Sequence, residues 1–338
     1  MPFRQTFGGA TELVDLFKTV LAHCRVQATE TMLVYTDNHS HPHYAAAFLA
    51  AGQALGATVF QVNVAANTPA VETGIIAKCW NESDLVVDLA SITTSIYRPL
   101  RTNALKAGTR ILRVTDPEDV LYRMPPDPVV RDRAKAAETL LTGTRELHVT
   151  SAAGTDLHVA IAGRTAFGLW GVADRPGTWD HWPMGLVVIG GNRQGTNGRI
   201  VVDVGDLLLA MPRYVNDRIT MEVSEGVITS IQGGADARVL EKWFVGWNDK
   251  RAYWISHIGW GLDHRTVWTR MQRKDEGGTG DAESFYGVMQ VAFGRDTSFL
   301  GGTNDTPAHM DFDCLDNSVT VDGLEVLRRG AFTYEAFK

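Results

Sequence analysis

The spacing of the apolar segments changes near residue 146, and this change constrains the fold more than any other feature. Before it, short apolar segments such as 32–36 and 85–89 alternate with helical ones, a pattern typical of parallel β-α units. After it, short strands follow one another and are separated by Gly and Asn/Asp turns, which favours antiparallel pairing. We therefore predict an α/β domain with a mostly parallel open sheet over residues 1–145. Residues 146–338 should form a mostly antiparallel, β-rich (α+β) domain.

Composition and charge exclude several classes of protein. The chain has 338 residues, of which 44% are hydrophobic and 21% charged, as is usual for a globular protein. A net charge of −7 without Lys/Arg clusters argues against nucleic-acid binding. No apolar stretch reaches the roughly 18 residues that a membrane span needs, and the N-terminus does not read as a signal peptide. The three widely separated cysteines (Cys24, Cys79 and Cys314) suit reduced thiols, so we predict a cytoplasmic protein.

The most informative stretch for function is 306–313, with the sequence TPAHMDFD. If it forms a strand, His309 and Asp311 lie on one face, because side chains alternate along a strand. His257 is our choice for a third ligand, since it lies in a short apolar strand that opens into a Gly-Trp-Gly turn; the more exposed His264 competes with it. Two His and one carboxylate with an open opposite face are the ligands of non-haem Fe(II) oxygenases, although Mn and Zn accept the same ligand types.

A Gly/Pro-bounded loop at 174–183 places an acid/base pair, Asp180 and His181, between Trp179 and Trp182. An aromatic floor beside such a pair would suit a flat, polar ring substrate. The alternative is a loop anchored by buried indoles, in which Asp180 bonds the backbone.

Two further polar positions have open interpretations. Gln290 is a polar residue within the apolar segment 288–294. It could be a weak metal ligand, a substrate contact or a satisfied core amide. Asp88 ends the third strand, and the loop 91–95, which contains Thr94, follows at the sheet edge where α/β sheets usually present ligands. Alternatively, Asp88 only caps the next element.

Taken together, these segments resemble the 2,5-dihydroxypyridine 5,6-dioxygenase family and, more distantly, the aminopeptidase T-like metallopeptidases. The resemblance covers nearly the whole chain, and its most specific sequence motifs are WDHWP at 179–183, ISHIGWGL at 255–262 and TPAHMD at 306–311. It implies that His257, His309 and Asp311 hold the metal, and that the protein is a homo-oligomer that takes a small aromatic substrate and O2.

The chain departs from the family pattern at three positions. Ala292 stands where the family has a Ser contact to the metal, Arg175 where it has a Glu, and Thr94 where it has a His. Arg175 inverts the local charge and would suit an anionic substrate, such as a ring that carries a carboxylate. In the peptidases, the positions of His257 and Gln290 correspond to a Glu and to a further metal-binding His, so their loss argues against a two-metal peptidase site.

We therefore expect an Fe(II)-dependent extradiol-type dioxygenase that opens a hydroxylated N-heteroaromatic ring. His181, supported by Asp180, would move a proton at the ring hydroxyl. The other expected substrate contacts are Arg175, Trp182, Trp260, Gln290 and Thr94. The alternative is a metal-dependent hydrolase of an amide or cyclic amide, in which the same ligands would hold Zn²⁺ or Mn²⁺ with an activated water.

Overall fold

The structure, a computed structural model, describes residues 9–66, 74–91, 99–272, 279–297 and 300–338. The chain forms two compact units. The first contains the residues up to Asp127 and the later segment Leu169–Met184, and the second contains Pro128–Gly168 and most of the chain from Gly185 onward. Among the residues described, no helix combines the length and the apolar character that a membrane crossing requires.

Helices and strands alternate over the first third of the described chain, and strands dominate the rest. Helices α1 to α8 are Ala10–His23, Pro42–Ala54, Gly74–Asn81, Pro99–Ala107, Glu118–Arg123, Pro128–Leu141, Ala235–Gly246 and Gly280–Glu283. Strands β1 to β10 are Thr31–Asp37, Thr58–Val64, Leu85–Asp88, Arg110–Arg113, Glu146–Ser151, Asp156–Ala160, Ala166–Leu169, Trp179–His181, Leu186–Gly190 and Asn192–Val202. Strands β11 to β20 are Leu207–Leu208, Arg213–Tyr214, Ile219–Ser224, Val227–Gly233, Ile255–Gly261, Met289–Gly294, His309–Cys314, Asn317–Val321, Leu324–Arg328 and Ala331–Phe332.

The first unit is built around a five-stranded parallel sheet with the strand order β2-β1-β3-β4-β8. Strand β3 is buried along its whole length, which explains its nearly continuous apolar sequence. Each fully buried Val or Leu side chain stabilises the fold by roughly 1.5–3 kcal/mol. Strand β8 belongs to the later segment Leu169–Met184, which returns to the first sheet and pairs with β4. The predicted division at residue 145 does not include this return.

The second unit contains an eight-stranded antiparallel sheet with the order β14-β13-β10-β6-β5-β18-β19-β20. Its strands alternate between buried and more exposed residues, as shown by Leu147 and Val149 on the buried face of β5. Glu225 and Gly226 both have positive φ values, of 47° and 66°, and form the tight turn between β13 and β14.

A seven-stranded sheet in the second unit has the order β12-β11-β17-β16-β15-β9-β7. Strands β9, β15 and β16 are buried at every residue, so both faces of the sheet centre are covered. The predicted fold class is therefore confirmed: a parallel α/β sheet is followed by two antiparallel sheets. The polar residues inside this seven-stranded sheet form the candidate site.

Candidate metal centre

The register of three neighbouring strands brings the expected ligands to one face of the seven-stranded sheet. Strands β15, β16 and β17 pair antiparallel, and residues directly opposite each other point to the same face. Gly259 opposes Gln290, and His257 lies two residues before Gly259, so its side chain emerges on that face as well. The opposed pairs across β16 and β17 are Gln290–Asp313, Ala292–Asp311 and Gly294–His309.

His257, His309 and Asp311 form a compact cluster on this face. One potential ligand atom from each residue lies within 4.8 Å of the others. The carboxylate of Asp311 lies between the two imidazoles, with Oδ1 3.2 Å from His257 Nε2 and Oδ2 3.3 Å from His309 Nε2. The structure thus brings together the three residues that the sequence analysis selected as metal ligands.

Hydrogen bonds to the outer nitrogens orient both imidazoles. His309 Nδ1 donates to the carbonyl oxygen of Arg295 at 3.0 Å, which leaves the lone pair of Nε2 facing Asp311. The Ser256 hydroxyl donates to the same carbonyl at 2.7 Å, and its oxygen lies 3.4 Å from His257 Nδ1. This pattern is the one usually found behind metal-binding histidines, in which a partner of one ring nitrogen fixes the tautomer of the other.

A polar network continues from His257 through Gln290 to Asp313. The amide nitrogen of Gln290 donates to Asp313 Oδ1 at 2.9 Å, and this bond turns the amide oxygen to within 3.1 Å of His257 Nε2. The amide nitrogen is therefore engaged by Asp313, and the amide oxygen faces the cluster. Burial, followed by the charges of Glu283 and Asp311, raises the pKa of Asp313 well above its ordinary value.

The inner atoms of the cluster fit a cation. With Nδ1 of His257 directed at Ser256, three electron-rich atoms meet: His257 Nε2, Asp311 Oδ1 and Gln290 Oε1. Asp311 Oδ1 is also buried without a hydrogen bond of acceptable geometry, despite the 3.2 Å separation from His257 Nε2. An unsatisfied buried carboxylate oxygen costs free energy, and a metal ion bound there would remove that cost.

Electrostatics within the cluster keep charge on the carboxylate. Burial by itself raises the pKa of Asp311, but His309 and His257 outweigh it and hold this pKa below its ordinary value. Burial likewise lowers the pKa of His309, yet the neighbouring Asp311 carboxylate raises it to a net value above the ordinary one. Asp311 is therefore an ionised ligand across the neutral pH range.

His264, the competing third ligand, is engaged elsewhere. Its Nδ1 lies 3.0 Å from the guanidinium of Arg133, which also donates to the carbonyl oxygen of Leu262. His264 is also exposed, whereas His257 and Asp311 are buried. Of the two candidate histidines, only His257 lies in the cluster with His309 and Asp311.

In the first unit, Asp180 supports His181 through the backbone rather than through the imidazole. Asp180 Oδ2 accepts hydrogen bonds from three successive backbone N–H groups (Trp170, Gly171 and Val172) at 3.0–3.1 Å. Its Oδ1 accepts the backbone N–H of His181 at 2.7 Å. Burial raises the pKa of Asp180 to about 7 in spite of these bonds. This arrangement corresponds to the alternative in which Asp180 anchors the loop.

The imidazole of His181 has a different carboxylate as its neighbour. Its Nε2 lies 3.1 Å from Asp116 Oδ2 and 3.4 Å from Thr115 Oγ1. The sequence signal for Asp116 is its position shortly after β4, because the carboxyl ends of parallel strands meet at one edge of a sheet. The register of β4 and β8 sets Arg113 opposite His181 and so brings the two segments together.

The two tryptophans expected to line the substrate lie in protein cores. Trp182 is 1% exposed, donates its indole N–H to Met124 at 2.8 Å and contacts the ring of Phe17 edge-on. Trp260 is fully buried, points to the face of β15 opposite His257 and lies 6.0 Å from Phe337 between ring centroids. Burial gives both indoles a packing role, and their contact with a substrate stays a prediction.

The remaining expected contacts are placed as follows. Arg175 has a side chain that is 69% exposed, with Nε 3.8 Å from Asp174 Oδ1. Its carbonyl oxygen accepts hydrogen bonds from the backbone N–H and the hydroxyl of Thr178, which closes the turn. Thr94 lies outside the residues that the structure describes.

Comparison with a solved aminopeptidase structure shows a shared fold. AmpT from Thermus thermophilus superposes with a TM-score of 0.63 over 96% of this chain and 99% of that one, at 13% sequence identity. At this level of identity the likeness concerns the fold alone.

Comparison with dioxygenases extends to the sequence. A protein of Pseudomonas putida named 2,5-dihydroxypyridine 5,6-dioxygenase is 37% identical over 337 residues, which cover 94% of this chain and 95% of that protein. The solved structure of 2,5-dihydroxypyridine dioxygenase from P. putida KT2440 has a TM-score of 0.92 at 34% identity and covers 98% of this chain and 100% of that one. A family model described as 2,5-dihydroxypyridine 5,6-dioxygenase matches residues 12–334. These matches confirm the resemblance seen in the sequence, and the chain belongs to the 2,5-dihydroxypyridine 5,6-dioxygenase family of oxidoreductases.

Proposed function

We propose that this protein is a mononuclear, Fe(II)-dependent dioxygenase that cleaves the ring of a hydroxylated pyridine. The observation that carries the proposal is the cluster of His257, His309 and Asp311, in which the carboxylate oxygen Asp311 Oδ1 is buried and unsatisfied. Family membership supplies the class of reaction, and the name of the P. putida relative suggests 2,5-dihydroxypyridine and O2 as the first reactants to test.

The donor set fits Fe(II). Two neutral imidazoles and one carboxylate leave coordination positions open for reactants, as in other non-haem Fe(II) oxygenases. Bound Fe(II) would supply the one-electron chemistry that allows O2 to react with an electron-rich hydroxylated ring. Mn²⁺ and Zn²⁺ accept the same donors, so the native metal has to be measured.

The surrounding residues would hold and orient the reactants. The carbonyl oxygen of Arg295 and the hydroxyl of Ser256 would keep the two imidazoles in the tautomer that presents Nε2 inward. Gln290, whose amide oxygen is aimed at the cluster by Asp313, would accept a hydrogen bond from the substrate. These contacts would fix the position of the ring before reaction, which is a large part of enzymatic rate enhancement.

Other residues predicted from the sequence remain proposed contributors to catalysis or substrate binding. His181 would move the proton of a ring hydroxyl, and Asp116, whose Oδ2 lies 3.1 Å from His181 Nε2, would orient the imidazole. Arg175, which is exposed, would pair with a carboxylate if the ring carries one. Thr94 stays a predicted substrate contact.

The decisive test is O2 consumption by the iron-loaded enzyme. Protein loaded with Fe(II) under nitrogen should consume one O2 per 2,5-dihydroxypyridine when air is admitted, and mass spectrometry should show both oxygen atoms in an open-chain product. The same assay with a carboxylated dihydroxypyridine would test the role of Arg175. Turnover under nitrogen, or no O2 uptake with any hydroxypyridine, would contradict the proposal and favour the hydrolase alternative.

Two variants connect this assay to the cluster. His309→Ala should lose bound iron and reduce turnover by at least about 10²-fold, since one of three protein ligands is removed. His264→Ala, which removes an imidazole outside the cluster, is the matched control and should retain both iron and turnover.

We also propose that the enzyme acts as a catabolic homo-oligomer in the cytoplasm. The three cysteines are free, which suits a reducing compartment. Light scattering coupled to size-exclusion chromatography would give the number of subunits, and a mass equal to one chain would contradict the proposed assembly.

A further inference from the structure

The eight-stranded sheet carries a second group of imidazoles and carboxylates, on strands β5 and β6. The register places His148 directly opposite His158. Asp156 is two residues before His158, and Glu146 is two residues before His148, so all four side chains share one face. This face is the more exposed one, because the intervening Leu147, Val149 and Leu157 are buried.

The four side chains form two diagonal acid–imidazole pairs around a stacked pair of rings. His148 Nε2 lies 2.7 Å from Asp156 Oδ1, and His158 Nδ1 lies 3.9 Å from Glu146 Oε2. The two imidazoles are almost parallel, with an interplanar angle of 6° and centroids 4.0 Å apart. One ligand atom from each of His148, Asp156 and His158 lies within 4.8 Å of the others.

The chemistry of the group favours a metal ion over a purely structural role. Stacking two imidazoles face to face is unfavourable when both are charged, whereas a shared cation uses two neutral rings. The Asp156 carboxylate, with Oδ1 2.7 Å from His148 Nε2, supplies an oxygen donor beside the rings. Asp156 and Glu146 together would balance the charge of a divalent ion.

We propose that His148, His158 and Asp156 form a second metal site, specific for late first-row divalent ions such as Zn²⁺, Ni²⁺ and Cu²⁺, with Glu146 as an outer carboxylate. Imidazole nitrogen is a preferred donor for these ions, whereas Mg²⁺ and Ca²⁺ favour sites made only of oxygen ligands. The side chains are 33% (His148), 48% (His158) and 72% (Asp156) exposed, so an ion has direct access and the carboxylate can adjust its position.

One neighbouring cation limits the affinity. Arg199 lies opposite Asp156 on β10 and contributes positive charge, although its guanidinium is engaged by Glu222 at 2.7 Å. The site should therefore be weaker than a buried structural zinc site. Because a bound ion would connect β5 and β6 in the folded chain only, it should also raise the melting temperature.

The test counts metal ions per chain. Tag-free, metal-stripped protein would be titrated calorimetrically with ZnCl2 and, in a parallel arm, with MgCl2. Wild type should bind two Zn²⁺ per chain, one at each site, whereas His148→Ala and His158→Ala should each bind one. His43→Ala removes another exposed imidazole and serves as the control, with two ions expected.

The outcomes separate this inference from the proposed function. If His148→Ala and His158→Ala bind as many Zn²⁺ as wild type, or if Mg²⁺ binds in the same way as Zn²⁺, the second site is refuted. If wild type binds a single ion that is lost in His148→Ala and kept in His309→Ala, the second site stands and the proposed catalytic centre fails. Circular dichroism of each variant would verify folding, and weaker retention of His158→Ala on immobilised Ni²⁺ than of His43→Ala gives an independent readout.

Discussion

His309 donates its Nδ1 proton to the carbonyl oxygen of Arg295, at 3.0 Å. The same oxygen accepts the hydroxyl of Ser256 at 2.7 Å, and Ser256 Oγ lies 3.4 Å from His257 Nδ1. One backbone carbonyl therefore sets the orientation of both imidazoles in the candidate centre. Arg295 is itself fixed, because its guanidinium donates to the carbonyl oxygens of Thr306 and Asp305, just before β17.

The first prediction concerns this shared carbonyl. Ser256→Ala removes the hydroxyl that links His257 to Arg295, and we expect the affinity for Fe(II) to fall roughly 10-fold, as is usual when the partner of a metal-binding histidine is lost. Iron content after dialysis against graded chelator would measure it. Ser318→Ala, which removes a serine hydroxyl bonded to the backbone N–H of Arg329 on the other sheet, should bind iron like wild type. Equal iron affinity in Ser256→Ala would show that the hydroxyl does not position His257.

The second prediction is a dependence of stability on pH in the metal-free protein. Asp311 raises the pKa of His309 above its ordinary value of 6.5. A raised folded-state pKa means that the charged form stabilises the fold below about pH 6.5, and that this stabilisation is lost as the pH rises through the folded-state pKa. The melting temperature of metal-free wild type should therefore decrease relative to His309→Gln as the pH rises above about 6.5.

Metal should reverse this trend, and the reversal is the control. The imidazole must be neutral to bind a metal ion, so the stabilisation by added Fe(II) under nitrogen should increase over the same pH range. The depressed pKa of Asp311 acts in a separate window: its contribution is present above about pH 3.9 and is lost at lower pH. A difference between wild type and His309→Gln that stays constant with pH would contradict the electrostatic coupling of His309 to Asp311.

The third prediction concerns the catalytic role of His181 and of its neighbour Asp116. His181→Gln should lower kcat by roughly 10²- to 10⁴-fold without loss of iron, because the proposed proton transfer is removed while the metal ligands remain. Asp116→Asn should lower kcat by a smaller factor than His181→Gln, since Asp116 Oδ2 lies 3.1 Å from the imidazole and would help to orient it. His43→Gln, an exposed histidine of the same unit, should leave kcat unchanged. If His181→Gln retains wild-type kcat, His181 has no catalytic role.

The sequence predicted the parts of the fold and site that depend on local periodicity. Alternation along 309–313 placed His309 and Asp311 on one face, and the register of β17 against β16 sets them opposite Gly294 and Ala292, as that alternation requires. The network behind the ligands was not predictable, because it depends on pairing between segments far apart in sequence. Gln290 meets His257 and Asp313 only through the register of β15, β16 and β17, which no local pattern encodes.

Burial of the two indoles shows what they contribute to the fold. Trp182 and Trp260, which stand beside Pro and Gly in the sequence, are predicted substrate contacts. An indole has a large apolar surface, however, and its removal from water favours a core position wherever the backbone allows one. Asp116 was missed for a topological reason, since β8 joins β4 after more than sixty intervening residues.

The last prediction tests the departure at Ala292. This residue lies directly opposite Asp311 across β16 and β17 and is fully buried on the ligand face. The resemblance to the dioxygenase family placed a serine contact to the metal at this position. Ala292→Ser should therefore add an oxygen donor beside the cluster and increase the affinity for Fe(II) roughly threefold to tenfold, which corresponds to about 0.7–1.4 kcal/mol. Ala292→Val adds bulk without a donor and should give no increase, because overpacking of a buried site is destabilising. Chelator competition on both variants would measure the effect, and an equal response of Ser and Val would show that the position acts through packing alone.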